Sequence, residues 1–498
     1  METLSLSTCL SKLITDGKPV RKAFSNRAQR YGLRQFPCHV HGDGSISVDT
    51  GYLNGVRGAG AKTAATLSTE PWDWEDKTTL PSKENLVRAL GITKSDRVIK
   101  NSSHGEIWFG TVQCARNDTA TSAPTTTEVA IKFMPIQTRE KDTHMSSRVA
   151  NSAYVDPFIS WLGSQLVTRG QSTAFAQLYG TFLCTGTVRS SSSAKEADAP
   201  AGERSPPLVA MISELLGKKI DVAVEECLPE KGRIHWKRLI AIVLQVMVAL
   251  SQAHAMTFVH NDAHMGNFLV ATQCHHAPMY VNVNGRHLMI PMQDRVVLMD
   301  FGRSTIAALD CESTTQCSSR RARETGPVAR GGGNGPGCTT ARLHASEVAD
   351  KFAEWQLDNP GADVSHFAAM LVLCQTRKNM LVKQAMRKDA PPEAMALVRL
   401  LQRALQCDGG SDMFVKYAEC NAEELKGLTE SVSKKARCGK DLIHDLREKK
   451  TSCRGILPID FLSDRELTAS FVVTPETIPS SENIYLPIPS CVGEKARP

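Results

Sequence analysis

The sequence predicts an α+β fold of two lobes, β-rich in the first and helical in the second, with an extension at each end. Segments typical of strands, separated by turn residues, dominate residues 97–213. Residues 234–256 instead repeat apolar side chains with the period of a helix. Between residues 258 and 304, two short apolar runs each adjoin Asp and Asn residues, which places acidic and amide groups at strand ends.

The bulk properties are those of an ordinary soluble globular protein. The chain has 498 residues, enough for a two-lobed domain with appendages, of which 41% are hydrophobic and 22% charged. The net charge of +7 is thinly spread, so it permits anionic ligands but does not indicate a nucleic-acid-binding protein. The 15 cysteines include no C-x-x-C pair, and no apolar run has the length of a signal peptide or membrane span. We therefore expect a soluble intracellular protein that does not bind membranes.

The first part of the chain predicts an extension, a short helix and a set of strands. Residues 1–80 are weakly patterned, with Gly-rich and Thr/Ala-rich stretches, and predict a loosely folded extension. A short helix follows, with Ser82 as its N-cap and Gly91 near its end. Residues 97–113 predict a strand, a polar turn and a strand, and residues 128–133 predict another strand.

A second pair of strands precedes the long helix. The strands cover residues 178–183 and 208–212, and the Ser-, Ala- and Pro-rich residues 189–207 between them predict a flexible insertion. The helix covers residues 234–256 and is apolar enough to lie at the centre of the second lobe. Residues 279–292 then predict a hairpin, because an Asn-Gly pair at its middle is a strong turn signal.

The rest of the chain predicts a basic insertion, two helices and a tail. Residues 311–342 are rich in Arg and Gly, and we expect them to form a flexible basic insertion. One helix opens near Asn359 and another covers residues 392–406. Residues 408–498 are charged and then Pro-rich, and they predict a C-terminal extension without recognisable chemistry.

Two motifs between residues 258 and 304 carry the functional interpretation. The first is H-x-D-x-x-x-x-N, formed by His260, Asp262 and Asn267 and followed at once by an apolar run. The second is D-F-G at residues 300–302, directly after another apolar run. Carboxylate and carboxamide oxygens are hard ligands of the kind that Mg²⁺ prefers, and an Asp without a metal can accept a hydroxyl proton. The pattern therefore favours magnesium and phosphate chemistry.

The two motifs, in this order, resemble the catalytic and metal-binding loops of the protein-kinase superfamily. The V-A-I-K pattern at Val129–Lys132 is similar to the strand that carries the phosphate-binding lysine of that superfamily. The resemblance implies a bilobal protein-kinase-like fold over residues 81–407, with an N-lobe at about 95–213 and a C-lobe at about 217–407. The run H-N-D-x-H-x-G-N-F-L, the hairpin, D-F-G-R-S and N-P-x-x-D resemble serine/threonine kinases of large DNA viruses more than cellular ones.

The resemblance implies a role for each matching residue. Asp262 would orient or deprotonate the acceptor hydroxyl, and Asn267 and Asp300 would bind Mg²⁺. Lys132 would contact the α- and β-phosphates of ATP, and the backbone of the hinge would contact the adenine. The hinge, which joins the two lobes, is represented by Glu214 and Leu216. The other expected ATP-binding positions are Ser102, Gly105, Ile107 and Ala130. The expected structural or regulatory positions are Asp156, His260, Phe301, Gly302 and Asp363.

Two of these positions have a second interpretation. Asp156 is the expected partner of Lys132, with Glu140 as the alternative, but Asp156 before a proline is also a typical helix N-cap. Asp363 resembles the aspartate that anchors the catalytic loop, but it also suits the first turn of a helix.

The sequence departs from the superfamily pattern at two places. Of the three glycines in the phosphate-covering loop only Gly105 remains, and Lys100 and Ser102 stand at the other two positions. Those glycines allow close approach of the backbone to phosphate, so their loss bears on nucleotide affinity. Where serine/threonine kinases carry a lysine two residues after the catalytic aspartate, this chain has His264, which gives weaker and pH-dependent stabilisation.

We expect an enzyme that uses ATP and Mg²⁺ to phosphorylate Ser/Thr hydroxyls of proteins, including itself. The arginines of the basic insertion favour acidic or phosphorylated protein substrates, because Arg pairs bidentately with phosphate. If the chain is viral, its place would be the host-cell cytoplasm or the virion. Two alternatives stay open: a small-molecule kinase of the aminoglycoside or choline type, and a pseudokinase that binds ATP without turnover.

Overall fold

The structure of this chain is a computed structural model that describes most of its middle and parts of both ends. The described residues are 6–35, 38–40, 46–48, 80–96, 100–102, 105–114, 125–135, 149–150, 152–188, 207–228, 233–256, 258–271, 277–310, 339–345, 360–375, 381–405 and 456–478. Helices and mostly antiparallel strands both contribute, so the predicted α+β class is confirmed.

The helices and strands are numbered in chain order within the described residues. The helices are α1 (Leu6–Tyr31), α2 (Lys83–Ala89), α3 (Ser152–Thr168), α4 (Ile220–Cys227), α5 (Trp236–Ala255), α6 (Pro360–Gln375), α7 (Leu381–Ala385), α8 (Pro392–Leu405) and α9 (Pro458–Ser463). The strands are β1 (Cys38–Val40), β2 (Ile46–Val48), β3 (Ile92–Lys94), β4 (Lys100–Ser102), β5 (Gly105–Cys114), β6 (Thr125–Pro135), β7 (Val149–Ala150), β8 (Leu178–Thr185), β9 (Pro207–Glu214), β10 (Lys218–Lys219), β11 (Phe258–Val259), β12 (Phe268–Ala271), β13 (Ala277–Val283), β14 (Arg286–Met292), β15 (Arg295–Leu298), β16 (Thr305–Asp310), β17 (Thr339–Ala345) and β18 (Val472–Val473).

The β-rich part is a six-stranded antiparallel sheet in the order β3-β5-β6-β9-β8, with β4 paired to β5. Every residue of β9 is buried, because alternate side chains enter different cores on the two faces of the sheet. Leu208, Ala210 and Ile212 pack with α1 and α2 on one face. Val209 and Met211 pack with α3 on the other. The predicted short helix and the predicted strands of this part are confirmed.

The helical part is built around α5, most of whose residues are buried. This helix is long and apolar enough to cross a membrane, but 83% of its apolar window is buried inside the protein, which is typical of the core helix of a soluble protein. The predicted hairpin is formed by β13 and β14, and its Asn284 and Gly285 both have positive φ, as a two-residue hairpin turn requires.

The N-terminal prediction was wrong for residues 6–31, which form α1 rather than a loosely folded extension. Leu13, Val20, Phe24 and Ala28 recur at helical spacing along one face and are buried against the β-rich part. The polar residues between them, together with a proline inside the helix, hide this stripe in the sequence.

The C-terminal extension also contributes to the fold, beyond the predicted domain boundary at residue 407. Phe461, Leu462, Leu467 and Phe471 are buried in the core that contains α5, and β18 pairs with β14. Apolar residues spaced along a charged and Pro-rich segment supply this packing.

The two predicted insertions are only partly described. The first ends one residue earlier than predicted, because β9 begins at Pro207; its other residues lie outside the described part. Of the second, residues 311–338 lie outside the described part, whereas residues 339–342 belong to β17 and pair with β16 rather than continuing a flexible insertion.

Candidate functional site

The two sequence motifs meet because β12 and β15 are antiparallel neighbours. Phe268 pairs with Leu298, and the backbone N–H of Met299 donates to the carbonyl of Asn267 at 2.9 Å. Since Asn267 precedes β12 and Asp300 follows β15, this register brings both residues to the same end of the ladder. The sequence predicted both strands, and their pairing positions the two side chains.

The loop that begins at His260 is held by a buried carboxylate of α6. Asp363 is fully buried and accepts the backbone N–H groups of His260 at 2.8 Å and Asn261 at 2.7 Å. It also contacts Nε2 of His254 at 3.0 Å. Asn261 has a φ of 61°, a conformation that Asn tolerates better than most residues. Asp363 therefore fixes the loop, as the resemblance implied, and is more than a first-turn acid.

Within this loop, the carbonyl of Asp262 accepts two hydrogen bonds that fix its path. The donors are the backbone N–H of His264, at 2.7 Å, and Nδ2 of Asn267, at 2.8 Å. Because the amide nitrogen of Asn267 is used within the loop, its Oδ1 is the side-chain atom suited to a ligand. The carboxylate of Asp262 is separate from these bonds and is 15% exposed.

Lys132 lies between two carboxylates. Its Nζ is 2.6 Å from Oδ2 of Asp156 and 2.7 Å from Oδ1 of Asp300. Burial by itself lowers the pKa of Lys132, but the charges and hydrogen bonds of the two carboxylates outweigh it and raise the pKa above its ordinary value. Lys132 is therefore a fixed cation at the centre of the site, and it does not act as a base at neutral pH.

The residue that holds Lys132 is Asp156, and the N-cap interpretation of Asp156 is wrong. Helix α3 begins at Ser152, so Asp156 lies inside it, fully buried. Its Oδ1 accepts the backbone N–H of Phe301 at 3.1 Å and the hydroxyl of Ser160 at 3.3 Å. The alternative partner, Glu140, lies outside the described residues.

The D-F-G segment is locked by the Phe301 side chain, which is 2% exposed. Its ring packs edge-on against Phe258, with centroids 5.4 Å apart, and lies 5.4 Å from the ring of His260. His260 in turn contacts the carbonyl of Met299 through Nε2 at 2.9 Å. Gly302 is buried in the short 3₁₀ turn that follows. Asp300 itself has a φ of 63°, a strained conformation of the kind that clusters at functional sites.

Two side chains flank the carboxylate of Asp262. Nη1 of Arg303 lies 3.2 Å from its Oδ2, and Nε2 of His264 lies 3.8 Å from the same oxygen. The backbone N–H of Gly266 donates to Nδ1 of His264 at 2.9 Å, so the neutral ring carries its proton on Nε2, facing Asp262. Burial lowers the pKa of His264 below its ordinary value, despite the opposing charge of Asp262. His264 is therefore a neutral donor at pH 7.

The predicted phosphate-covering hairpin is formed by β4 and β5. Ser102 pairs with Gly105, and Ile107 lies opposite Lys132 on β6, whereas Ala130 of the same strand lies opposite Phe109. A Cβ on Gly105 would lie 2.1 Å from the carbonyl oxygen of Phe133. The remaining glycine of the loop is therefore needed by the packing of the sheet itself.

The two predicted hinge residues differ in what their backbone can offer. The backbone N–H of Glu214 donates to the carbonyl of Gln177 at 2.9 Å. This N–H is therefore not available to adenine, although the whole backbone of Glu214 was expected to be. Leu216 is 7% exposed, and within the described part of the chain its backbone N–H has no hydrogen-bond partner. An N–H without a partner in so buried a residue is stabilised by a ligand or water that accepts its hydrogen bond.

Two arginines near the site were not predicted. Arg295 is fully buried and pairs with Glu214, although it opens an apolar strand where the sequence gives no sign of burial. Arg303 directly follows D-F-G, and this adjacency to Asp300 was the available signal.

No protein-family model matches the chain, and no curated protein matches it. Among the described residues, no group of three or more His, Cys, Asp and Glu side chains could hold a metal ion.

Proposed function

We propose that this chain is a serine/threonine protein kinase that uses ATP and Mg²⁺. The observation that carries the proposal is the position of Lys132, held at 2.6 and 2.7 Å by Asp156 and Asp300, with Asp300 beside the Asp262–Asn267 loop. A fixed buried cation, two oxygen donors and a partly exposed carboxylate on adjoining elements suit phosphoryl transfer, in which positioning and charge neutralisation dominate.

The residues present fit both ATP and magnesium. Oδ1 of Asn267 and the carboxylate of Asp300 are hard oxygen donors of the kind that bind Mg²⁺. Lys132 suits phosphate oxygens, and the N–H of Leu216, which has no partner among the described residues, suits a ring nitrogen of adenine. When bound, magnesium would neutralise charge on the phosphates.

The chain's own residues then perform defined tasks. Asp262, at 15% exposure, would orient the acceptor hydroxyl and accept its proton. Asp363 holds the loop of Asp262 through two backbone N–H groups, so the carboxylate does not have to be ordered during the reaction. His264 would donate a hydrogen bond from Nε2 without adding charge.

The proposed kinase has the bilobal arrangement of the superfamily, with ATP between the sheet and the helical part. This finer fold is supported by the order of the elements and by the link from Asp156 on α3 through Lys132 on β6 to Asp300 after β15. The proposed relationship is to kinases of large DNA viruses, with action in the host-cell cytoplasm or in the virion and on acidic protein substrates.

A pseudokinase is the second candidate, and a specific observation favours it. Gly105 is explained by the Phe133 carbonyl, which a Cβ at this position would meet, so the loop retains no glycine that only phosphate binding explains. A small-molecule kinase is the third candidate; His264 in the H-x-D-x-H pattern supports it.

Transfer of labelled phosphate from ATP distinguishes the three candidates. The purified chain is incubated with Mg-ATP and with casein as an acidic protein, or with an aminoglycoside or choline. We expect label in casein and in the chain itself, on Ser/Thr by phosphoamino-acid analysis. Label in the small molecules alone would support the small-molecule kinase. A melting shift with Mg-ATP but no transfer to any acceptor would support the pseudokinase.

The role of Asp262 is tested with a matched pair of variants. Asp262→Asn keeps the shape of the side chain and is expected to retain nucleotide binding while transfer falls about 10²-fold or more. Asp389→Asn changes an exposed carboxylate that pairs with Arg387 and should transfer as the unaltered chain does. Transfer by Asp262→Asn at the unaltered rate would show that Asp262 is not the general base.

A further inference from the structure

Arg303 is placed on a rigid turn beside Asp262. Its backbone carbonyl accepts Nδ2 of Asn261 at 3.2 Å, and the N–H of the next residue, Ser304, closes the turn onto Phe301 at 2.9 Å. Ser304 is fully buried. Asn261 of the first motif and Phe301 of the second therefore hold the turn that carries Arg303. This turn does not have to be ordered when a ligand binds.

The guanidinium of Arg303 is only partly used. Within the described part of the chain, its hydrogen bond is the 3.2 Å contact from Nη1 to Oδ2 of Asp262, and the side chain is 26% exposed. A guanidinium has five N–H donors in a planar fork that matches phosphate oxygens. The guanidinium therefore has donors besides the one that contacts the proposed base.

The other candidate cations near Asp262 are occupied or neutral. Lys132 is held by Asp156 and Asp300. His264 could become charged only by protonating Nδ1, which would break its hydrogen bond from the N–H of Gly266. Arg303 is the remaining positive charge among the described residues that contact Asp262.

We infer that Arg303 is a catalytic residue of the proposed kinase reaction: it pairs with Asp262 in the resting protein and stabilises the transferred phosphoryl group during reaction. This inference rests on the proposed function. In the step, the acceptor oxygen bonds to the γ-phosphorus, the bond from that phosphorus to its bridging oxygen breaks, and its electron pair leaves with ADP. The hydroxyl proton moves to Asp262. Arg303 has further N–H donors besides the one that contacts Asp262, and these then act on the phosphoryl oxygens.

Moving the positive charge tests this role. Arg303→Gln should lower the turnover number for transfer to casein by about 10²-fold or more while the melting shift with Mg-ATP persists. Arg303→Lys keeps the charge but not the fork and should lose less, about tenfold. In the Arg303→Gln background, His264→Lys should recover transfer by about tenfold, because it restores a cation beside Asp262. Arg387→Gln removes an exposed arginine as the control and should have no effect.

The outcomes separate this inference from the proposed function. If the unaltered chain transfers label and Arg303→Gln does so equally well or faster, the inference is wrong and the proposed function stands. If Arg303→Gln is inactive and neither lysine variant retains or recovers transfer, the arginine has a structural role and the inference is also wrong. If the unaltered chain transfers no label to any acceptor, both are wrong.

Discussion

Lys132 and Arg295 are both buried cations paired with carboxylates, yet their surroundings differ. Arg295 is fully buried, and its partner Glu214 is 2% exposed. Its guanidinium donates to both oxygens of Glu214 and to the carbonyls of Thr173 and Phe175, at distances from 2.8 to 3.2 Å. The Arg295 centre therefore connects the end of β9, the segment before β8 and the start of β15.

The Lys132 centre is buried on one side and partly exposed on the other. Asp156 is fully buried, but the side chain of Asp300 is 33% exposed and adjoins the loop of Asp262. A charge whose partners are all buried serves the packing of the fold, whereas one with a partly exposed partner can exchange that partner for a ligand. This difference separates the structural ion pair of Arg295, called the closed centre below, from the ion pair of Lys132 that the proposed function uses, called the open centre.

Removing the two cations should affect different properties. The larger loss of stability is expected at Arg295, and the loss of nucleotide binding at Lys132. Arg295→Met leaves Glu214 charged and buried, and should lower the free energy of unfolding by about 3–5 kcal/mol. Lys132→Met should cost less, because Asp300 regains water and Asp156 keeps its bonds from Phe301 and Ser160.

Denaturant unfolding measures the stability of each variant, and the melting shift with Mg-ATP measures its nucleotide binding. Lys132→Met should lose the nucleotide shift, and Arg295→Met, at a temperature where it is folded, should retain it. Equal losses of stability at the two positions would contradict the distinction drawn between the two centres.

A smaller effect is expected when the exposed partner of Lys132 is removed. Asp300→Ala should abolish the stabilisation by Mg-ATP, which for a ligand at about 100 times its dissociation constant amounts to about 2.7 kcal/mol. The reason is that Asp300 is the proposed metal ligand and the partner that Lys132 exchanges for phosphate. Asp389→Asn serves as the surface control. A magnesium-dependent shift of unaltered size would remove Asp300 from the metal site.

The sequence predicted the open centre better than the closed one, for a physical reason. Asn267 and Asp300 each adjoin a short apolar run, so strand pairing alone brings them together, and local pattern was enough. Asp156 was the expected partner of Lys132 by its position, and it was the alternative N-cap interpretation, suggested by the proline after it, that misplaced the start of the helix.

The closed centre depends on contacts between distant segments, which local pattern does not contain. Arg295 contacts Glu214 across 81 residues and Thr173 across 122. An arginine at the start of a strand is normally exposed, and only the fold supplies four buried acceptors. The same limitation hid α1, whose apolar stripe becomes meaningful only when the β-rich part covers it.

The smallest expected effect concerns Gly17, where α1 joins the closed centre. Nε2 of Gln177 donates to the carbonyl of Leu13, and Nη1 of Arg21 donates to Oε1 of Gln177 at 2.8 Å. The backbone N–H of Gln177 in turn donates to Glu214 at 3.0 Å. A Cβ on Gly17 would lie 1.8 Å from Oε1 of Gln177, so an alanine there must displace that side chain.

Gly17→Ala therefore sets two effects against each other. Overpacking costs about 1–3 kcal/mol, and replacing a helical glycine by alanine gains up to about 1 kcal/mol. We expect a net loss of about 1 kcal/mol in the free energy of unfolding by denaturant, with the Mg-ATP melting shift unchanged, because the displaced side chain belongs to the closed centre. Lys18→Ala, at the exposed neighbouring position of the same helix, should be neutral. A stabilising Gly17→Ala would show that Gln177 does not need this close approach, and that α1 is not joined to the closed centre through it.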